Sequence, residues 1–232
     1  MISQCHLNKF YFIAEPIVDR AGKIVAFEIL TRFTDKRSPY DHIINMSLNE
    51  KKKLFLSQLS EIVRKKTFFL LNKINCSINV DYDLAAYLIG DSTLRRKISS
   101  FSFIRIEVSE KFPGLSEGFR NPMLRRLHDD FILWLDDFGS EFYDINAIQN
   151  ELYETIKIDK KYFWDNRLKK RWQDNIRNIY IKCSSIIVEG VAEKAYIPTL
   201  PAQITAMQGY LFKSVRLDSI EKTDISQYEV KY

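Results

Sequence analysis

The sequence predicts an α/β fold in which parallel strands alternate with helices and close into a barrel. Three observations carry this. Short apolar, strand-like runs alternate with helix-like segments along the whole chain; there are about eight such runs; and nearly every one stops on a carboxylate, an amide or an ammonium. One barrel of this class occupies 232 residues without dividing, and no low-complexity linker interrupts the chain, so a single domain, 1–232, is expected.

Each element has a local reason. Phe10 to Val18 (FYFIAEPIV) reads as a strand, Arg20 to Lys23 as a turn, and Ile24 to Leu30 as a second strand able to pair with the first as a hairpin. Residues 34 to 45 are polar and irregular. Leu48 to Lys65 then sets Leu54, Leu56, Leu59, Ile62 and Val63 at helical spacing. Asn75 to Val80 is a strand, and Asp81 is placed to cap a helix that runs through Ile98. Phe101 to Val108 alternates as a strand, Pro113 to Gly118 is a loop, and Asn121 to His128 is a helix.

The stretch Leu133 to Ser140, LWLDDFGS, is a buried strand that ends on adjacent carboxylates, Asp136 and Asp137, before an aromatic and a glycine turn. Beyond it the rhythm repeats: a helix from Phe142 to Leu152, a strand from Glu154 to Ile158, a long helix from Lys161 to Lys182 and a strand from Ile186 to Glu189. A helix from Ala192 to Leu200 and a last short strand from Gln203 to Gln208 precede a polar tail.

Composition excludes several classes. The apolar share is 46% and the charged share 28%, and no apolar run approaches the roughly 20 residues that span a bilayer. The N-terminus has no small-residue cleavage site behind an apolar core, so it is no secretory signal. Cys5, Cys76 and Cys183 are scattered and form no CxxC pair, which suits a reducing cytoplasm. The net charge of +5 comes partly from clusters at Lys51 to Lys53, Arg64 to Lys66, Arg95 to Lys97 and Lys169 to Arg171. These lie on helix-like segments without interleaved aromatics, which is the pattern of a solvated face rather than a nucleic-acid platform. A cytoplasmic protein with neither membrane nor nucleic-acid contact is expected.

The chemistry lies at the strand ends: Glu28, Asn79, Glu107, Asp136, Asp137, Lys157, Glu189 and Gln208. In a parallel barrel these ends converge on one rim. Carboxylates gathered there repel one another unless cations neutralise them, and hard oxygen donors select Mg²⁺, Mn²⁺ or Ca²⁺. His6, His42 and His128 lie elsewhere, which argues against zinc. Lys157 is open to two uses: an electrostatic partner for a phosphate or an activated water, or a structural ion pair with a neighbouring acid.

These residues resemble the EAL domain, the phosphodiesterase domain that linearises cyclic di-GMP, in its stand-alone enteric form. FEILTR at 27–32 is similar to the E-A-L-x-R signature, SINV at 77–80 to the N-V strand, and IEVSE at 106–110 to E-L-T-E. LDDFGS at 135–140 is similar to D-D-F-G-T, IKIDKKYF at 156–163 to the K-I-D segment, and VEGV at 188–191 and QGYLF at 208–212 to the last two signatures.

The resemblance implies a TIM-type (βα)8 barrel with one antiparallel strand, holding two Mg²⁺ or Mn²⁺ ions. Glu28, Asn79, Glu107, Asp136 and Asp137 would be ligands, with Glu189 completing or orienting the site. Lys157 would polarise the attacking water, Arg32 would contact phosphate and Gln208 would help hold the nucleotide, giving linear pGpG. A second copy of the chain is an implied partner.

Four departures bear on this. Glu15 stands where the family carries glutamine before the first-strand proline, and Glu141 replaces a glycine after DDFGS, where a required positive φ would bring strain. Ala192 replaces a glutamate after E-G-V, and residues 35–48 lack the usual proline and F-I-x-x-A-E pattern.

Two function classes follow. One is a metal-dependent cyclic di-GMP phosphodiesterase that promotes motility and limits biofilm. The other is a catalytically weak EAL-like protein that acts by binding, as by sequestering the flagellar master regulator FlhD–FlhC. The sequence favours the enzyme, because a costly cluster of like charges is hard to account for without cations. On that view Glu28→Ala would abolish turnover and leave the metal-free thermal midpoint unchanged or raised.

Overall fold

The computed structural model describes residues 10–35, 37–141, 144–148 and 151–225. Its framework is a closed barrel. Strands β1 (Phe10–Asp19) and β2 (Ile24–Phe33) form an antiparallel hairpin. To β2 are added, in parallel and in chain order, β3 (Asn75–Asn79), β4 (Ile104–Ser109), β5 (Leu133–Phe138), β6 (Thr155–Ile158), β7 (Ile186–Val188) and β8 (Ala206–Met207). β8 then closes on β1, which runs antiparallel to both neighbours. This is the expected eight-stranded barrel with its one reversed strand. A ninth strand, β9 (Val215–Arg216), pairs with β1 outside the ring, in what the sequence suggests is a featureless tail.

Side chains alternate between the two faces of each strand, so every barrel strand serves two environments. Outward residues such as Phe12, Phe27, Ile78, Ile106, Leu135 and Ile156 pack against the surrounding helices in one continuous core. Inward residues Ile17, Ala26, Trp134, Ile187 and Ala206 form a separate apolar plug inside the barrel. The plug fills the barrel below the mouth, and the acid-rich cluster lies above it.

Local signals explain where the helices fall. Ser38 and Pro39 start α1 (Pro39–Ile44), a helix inside a stretch expected to be irregular. Ser47 and Glu50 form a capping box for α2 (Leu48–Arg64), and α3 (Lys66–Asn72), unforeseen, follows after a break at Lys65. The single helix expected from Asp81 to Ile98 is two, α4 (Tyr82–Gly90) and α5 (Ser92–Ser99), because Asp91 leaves helical geometry and caps the second. The loop expected at 113–118 is largely a 3-10 turn, Leu115–Arg120, and Asn121 caps α6 (Pro122–Asp130).

The long helix expected from Lys161 to Lys182 likewise divides into α7 (Lys160–Asn166) and α8 (Arg171–Lys182). Of the helix expected at 142–152, a short 3-10 turn at Ile145–Ala147 is present, and residues 142, 143, 149 and 150 lie outside the described residues, as do Cys5 and His6. The helix expected at 192–200 is a 3-10 segment, Lys194–Thr199, with Pro198 inside it. Among the described residues no helix is long and apolar enough to cross a membrane.

One backbone approach holds the last strand in place. Gly209 lies at φ 147°, and a Cβ there would stand 2.5 Å from the Val191 nitrogen and 2.6 Å from its carbonyl oxygen. Val191 N–H donates to the Gln208 carbonyl at 3.0 Å, so this contact also positions the residue before the glycine. Gly209→Ala is expected to lower stability by about 1–3 kcal/mol in urea unfolding, through a clash that only backbone movement relieves.

Candidate functional site

The barrel interior is built in two steps. Its lower step consists of Ile17, Ala26, Ser77, Arg105, Trp134, Thr155, Ile187 and Ala206, one from each strand. Two residues nearer the mouth on the same faces stand Glu15, Glu28, Asn79, Glu107, Asp136, Lys157, Glu189 and Gln208. Glu189 and Gln208 fall just past the ends of their strands but keep the ladder, donating from their backbone N–H to the Ile158 carbonyl at 3.0 Å and the Val188 carbonyl at 2.9 Å. The strand-end residues expected at the rim are therefore brought together, with Asp137, at positive φ just past Asp136, grouped with Asp136 and Glu189.

Lys157 is the centre. Its Nζ lies 2.8 Å from Asp136 Oδ1, 2.9 Å from Glu28 Oε2 and from Glu189 Oε1, and 3.3 Å from Glu107 Oε2, with the side chain fully buried. Burial disfavours the ammonium, but the surrounding acids, Asp136 foremost, outweigh it and hold Lys157 well above the ordinary lysine range. Both oxygens of Glu28 are also engaged: Oε1 accepts from Asn79 Nδ2 at 2.6 Å, and Oε2 accepts from Gln208 Nε2 at 2.7 Å as well as from Lys157.

One ammonium cannot neutralise five carboxylates. Burial pushes Glu28 upward, but the Lys157 charge and hydrogen bonds from Gln208, Lys157 and Asn79 prevail and hold it below its usual value. The other four go the opposite way. Burial, reinforced by Glu28, raises Glu107 well above normal, and burial with Asp136 and Glu28 does the same to Glu189 against the pull of Lys157. Asp136 is raised by burial and Glu28, and Asp137 is pushed up to about 6 by burial and then by Asp136. The acids are thus short of positive charge.

The deficit has the shape of a cation site. Ligand oxygens of Glu28, Glu107 and Asp136 lie within 4.8 Å of one another, and so do those of Asp136, Asp137 and Glu189, with Asp136 common to both groups. Glu107 Oε1 and Gln208 Oε1 are buried without a hydrogen-bond partner. An all-oxygen donor set with unsatisfied acceptors fits hard divalent cations such as Mg²⁺ or Mn²⁺.

The loop after β5 is fastened by a residue to which the sequence assigns no role. Glu110 accepts from Gly139 N–H at 3.3 Å, from Ser140 Oγ at 3.0 Å and from Glu141 N–H at 3.1 Å. Its position three residues after the inward Glu107 strand end, among acids of the IEVSE motif, was the available signal. The positive φ values fall on Asp137 (55°) and Gly139 (89°), not on Glu141. The strain expected at Glu141 is therefore absent, and its exposed side chain pairs with Lys111 at 3.3 Å.

At the lip, a cavity of about 330 Å³ opens between β2, α1, α2 and α4, lined by Arg32, Lys51, Gln58, Asn79, Glu107 and Leu84 among others. Glu15 pairs with Glu28 in register across the hairpin, and its Oε2 lies 3.9 Å from Arg32 Nη2. Burial, then the Glu28 charge, raises the Glu15 carboxyl. Glu15 was not read as a rim residue because β1 runs backwards: its inward polar residue lies in mid-strand, not at a strand end.

Comparison with known proteins gives the same architecture. The chain matches the EAL domain over residues 2–214. It is 24% identical to the anti-FlhC(2)FlhD(4) factor YdiV of Salmonella paratyphi B over 231 residues, covering 95% of this chain and 97% of that one. The crystal structure of the EAL-like domain protein YdiV superposes with a TM-score of 0.81 at 23% identity, over 93% of this chain and 97% of that chain. Klebsiella pneumoniae BlrP1, solved as a manganese and cyclic di-GMP complex, superposes with a TM-score of 0.70 at 18% identity over 93% of this chain and 58% of that one, a likeness of fold.

Two substitutions separate the roles of the acids. Asp137 titrates near 6 in the fold against an ordinary 3.8, so metal-free protein loses stability as pH climbs between those values. Asparagine cannot ionise and suits a left-handed backbone. Asp137→Asn should raise metal-free stability at pH 7 by on the order of 1–2 kcal/mol, discounted for partial exposure. The gain should vanish below about pH 4, where both forms are neutral, and Mg²⁺ should stabilise the variant less than the wild type. Glu28→Ala goes the other way from the expectation drawn from sequence. Because Glu28 alone among the rim acids is held below its usual value, losing it strands the Asn79 and Gln208 donors. A loss of about 1–3 kcal/mol in chemical unfolding is expected.

Proposed function

We infer function from one premise: the chain belongs to the EAL domain family. We propose that it is a regulatory EAL protein that acts by binding a transcriptional activator of the FlhD–FlhC type, restraining flagellar gene expression. The observation that carries this reading is the similarity, over nearly the full length of both chains, to the anti-FlhC(2)FlhD(4) factor YdiV. Two features of the mouth support it. The Glu28 oxygens are satisfied within the protein by Asn79, Lys157 and Gln208, so the key acid is occupied without any ligand. Arg32, to which the family resemblance assigns the phosphate, faces Glu15 instead.

A second reading, cyclic di-GMP phosphodiesterase, is favoured by a different observation: the two oxygen groups that share Asp136. Glu28, Glu107, Asp136, Asp137 and Glu189 would hold the cations, with the Asn79 side chain beside them. Bound divalent cations would supply Lewis-acid polarisation of the phosphodiester. In this reading Lys157 offsets part of the acids' charge and holds Asp136 and Glu189 in place, and Glu110 fixes the loop that carries Asp137. The EAL fold is common ground for the two readings, which differ in whether the mouth binds and turns over cyclic di-GMP.

The two are separated by mixing purified protein with purified FlhD–FlhC and following complex formation by size-exclusion chromatography. A stable complex, with no pGpG released from cyclic di-GMP in Mg²⁺ or Mn²⁺, is the expected result. Absence of a complex together with metal-dependent pGpG release would replace the first reading with the second.

A further inference from the structure

The mouth has a charge balance that the family site does not require. Glu28, Glu107, Asp136, Asp137 and Glu189 face the single ammonium of Lys157, and the four charges left over are what two divalent cations would cancel. Glu15 and Arg32 then remain, one of each sign, at the mouth of the same hairpin. Arg32 lines the cavity together with Asn79 and Glu107. The other cation lining that cavity, Lys51, is taken by Asp81 at 2.8 Å and by Asp83 at 4.0 Å. Arg32 is thus the cation positioned to meet an anion entering the cavity, and Glu15 stands against it.

The placement is built in rather than incidental. Glu15 is held opposite Glu28 by the β1–β2 register, and Pro16 follows it within the strand, paired with Phe27. Its side chain is 23% exposed and that of Arg32 34%, so the pair is partly shielded from water and its attraction only partly screened. Arg32 Nη1 donates to the Thr31 carbonyl at 3.1 Å, which turns the guanidinium back along its own strand.

We propose that Glu15 is a specificity-determining residue that closes the mouth to cyclic dinucleotides by cancelling the charge of Arg32. A phosphodiester reaching the cavity meets no net positive charge from the protein and faces one more carboxylate than the cation site itself needs. This rests on the reading of the chain as a protein-binding regulator and deepens it, since it gives the physical reason that the nucleotide is turned away. Replacing Glu15 by glutamine keeps size and hydrogen bonding, removes the charge and releases Arg32.

The test is calorimetric titration of cyclic di-GMP into wild type, Glu15→Gln and Glu15→Gln/Arg32→Ala, each in EDTA and again in Mg²⁺. Glu15→Gln should bind at least tenfold more tightly than wild type, the gain should shrink as salt is raised, and the double variant should lose it. Equal or weaker binding by Glu15→Gln overturns the proposal, and so does a gain that survives Arg32→Ala. Glu15→Ala, measured in parallel, carries the same expectation should glutamine perturb folding, which thermal unfolding reports. The same proteins are run with FlhD–FlhC on a sizing column. Failure of wild type to form that complex refutes the regulatory reading and leaves the nucleotide titration to judge Glu15 separately.

Discussion

The structure depends on one electrostatic constraint, a fully buried ammonium held by four carboxylates inside a barrel. Lys157 reaches Asp136, Glu189, Glu28 and Glu107 with contacts between 2.8 and 3.3 Å, and the Lys157 and Glu107 side chains have no exposure to water while the other three have little. Removing any partner from such a set leaves an uncompensated buried charge, so the acids and the lysine stand or fall together. The deficit of positive charge that remains explains why Glu107, Asp136, Asp137 and Glu189 are all shifted toward the neutral form while Glu28, which takes the most donors, is not.

The barrel makes this possible by separating apolar and polar work along each inner face. The plug of Ile17, Ala26, Trp134, Ile187 and Ala206 excludes water from below, and the polar step two residues above it is left open at the mouth alone. The cost of desolvating the acids is met by the outer core between strands and helices, where residues such as Phe69, Phe138, Phe163 and Trp172 are almost completely buried. A site of this kind sits on strands rather than on loops, and its oxygens are held in place whether or not a ligand is present.

The same scaffold supports two kinds of function, and the mouth shows what distinguishes them. Groups suited to divalent cations persist around Asp136, yet the arginine beside the cavity is answered by Glu15 and the loop bearing Asp137 is closed by Glu110 and by the Glu141 to Lys111 pair. A barrel can thus keep an acid-rich interior with its own counter-ion while the charges at its lip are paired with one another. Fold alone does not choose between the two; in the proposal made above, the charges at the lip do.

Much of this was legible in the chain itself. Apolar runs ending in polar residues placed Glu28, Asn79, Glu107, Asp136, Asp137, Lys157, Glu189 and Gln208 at a common rim, because parallel strands bring their ends to one side of a barrel. The cap at Asp81 likewise announced its helix, being a local hydrogen bond written in neighbouring residues. What only the tertiary structure decided was relational. The fold set Glu15 beside Arg32, Lys157 became the shared counter-ion of four acids, and Glu28 became an anchor rather than a liability. Lys157 and Gln208 reach Glu28 across 129 and 180 positions of the chain, a closeness that no local pattern encodes and only the closing of the barrel determines.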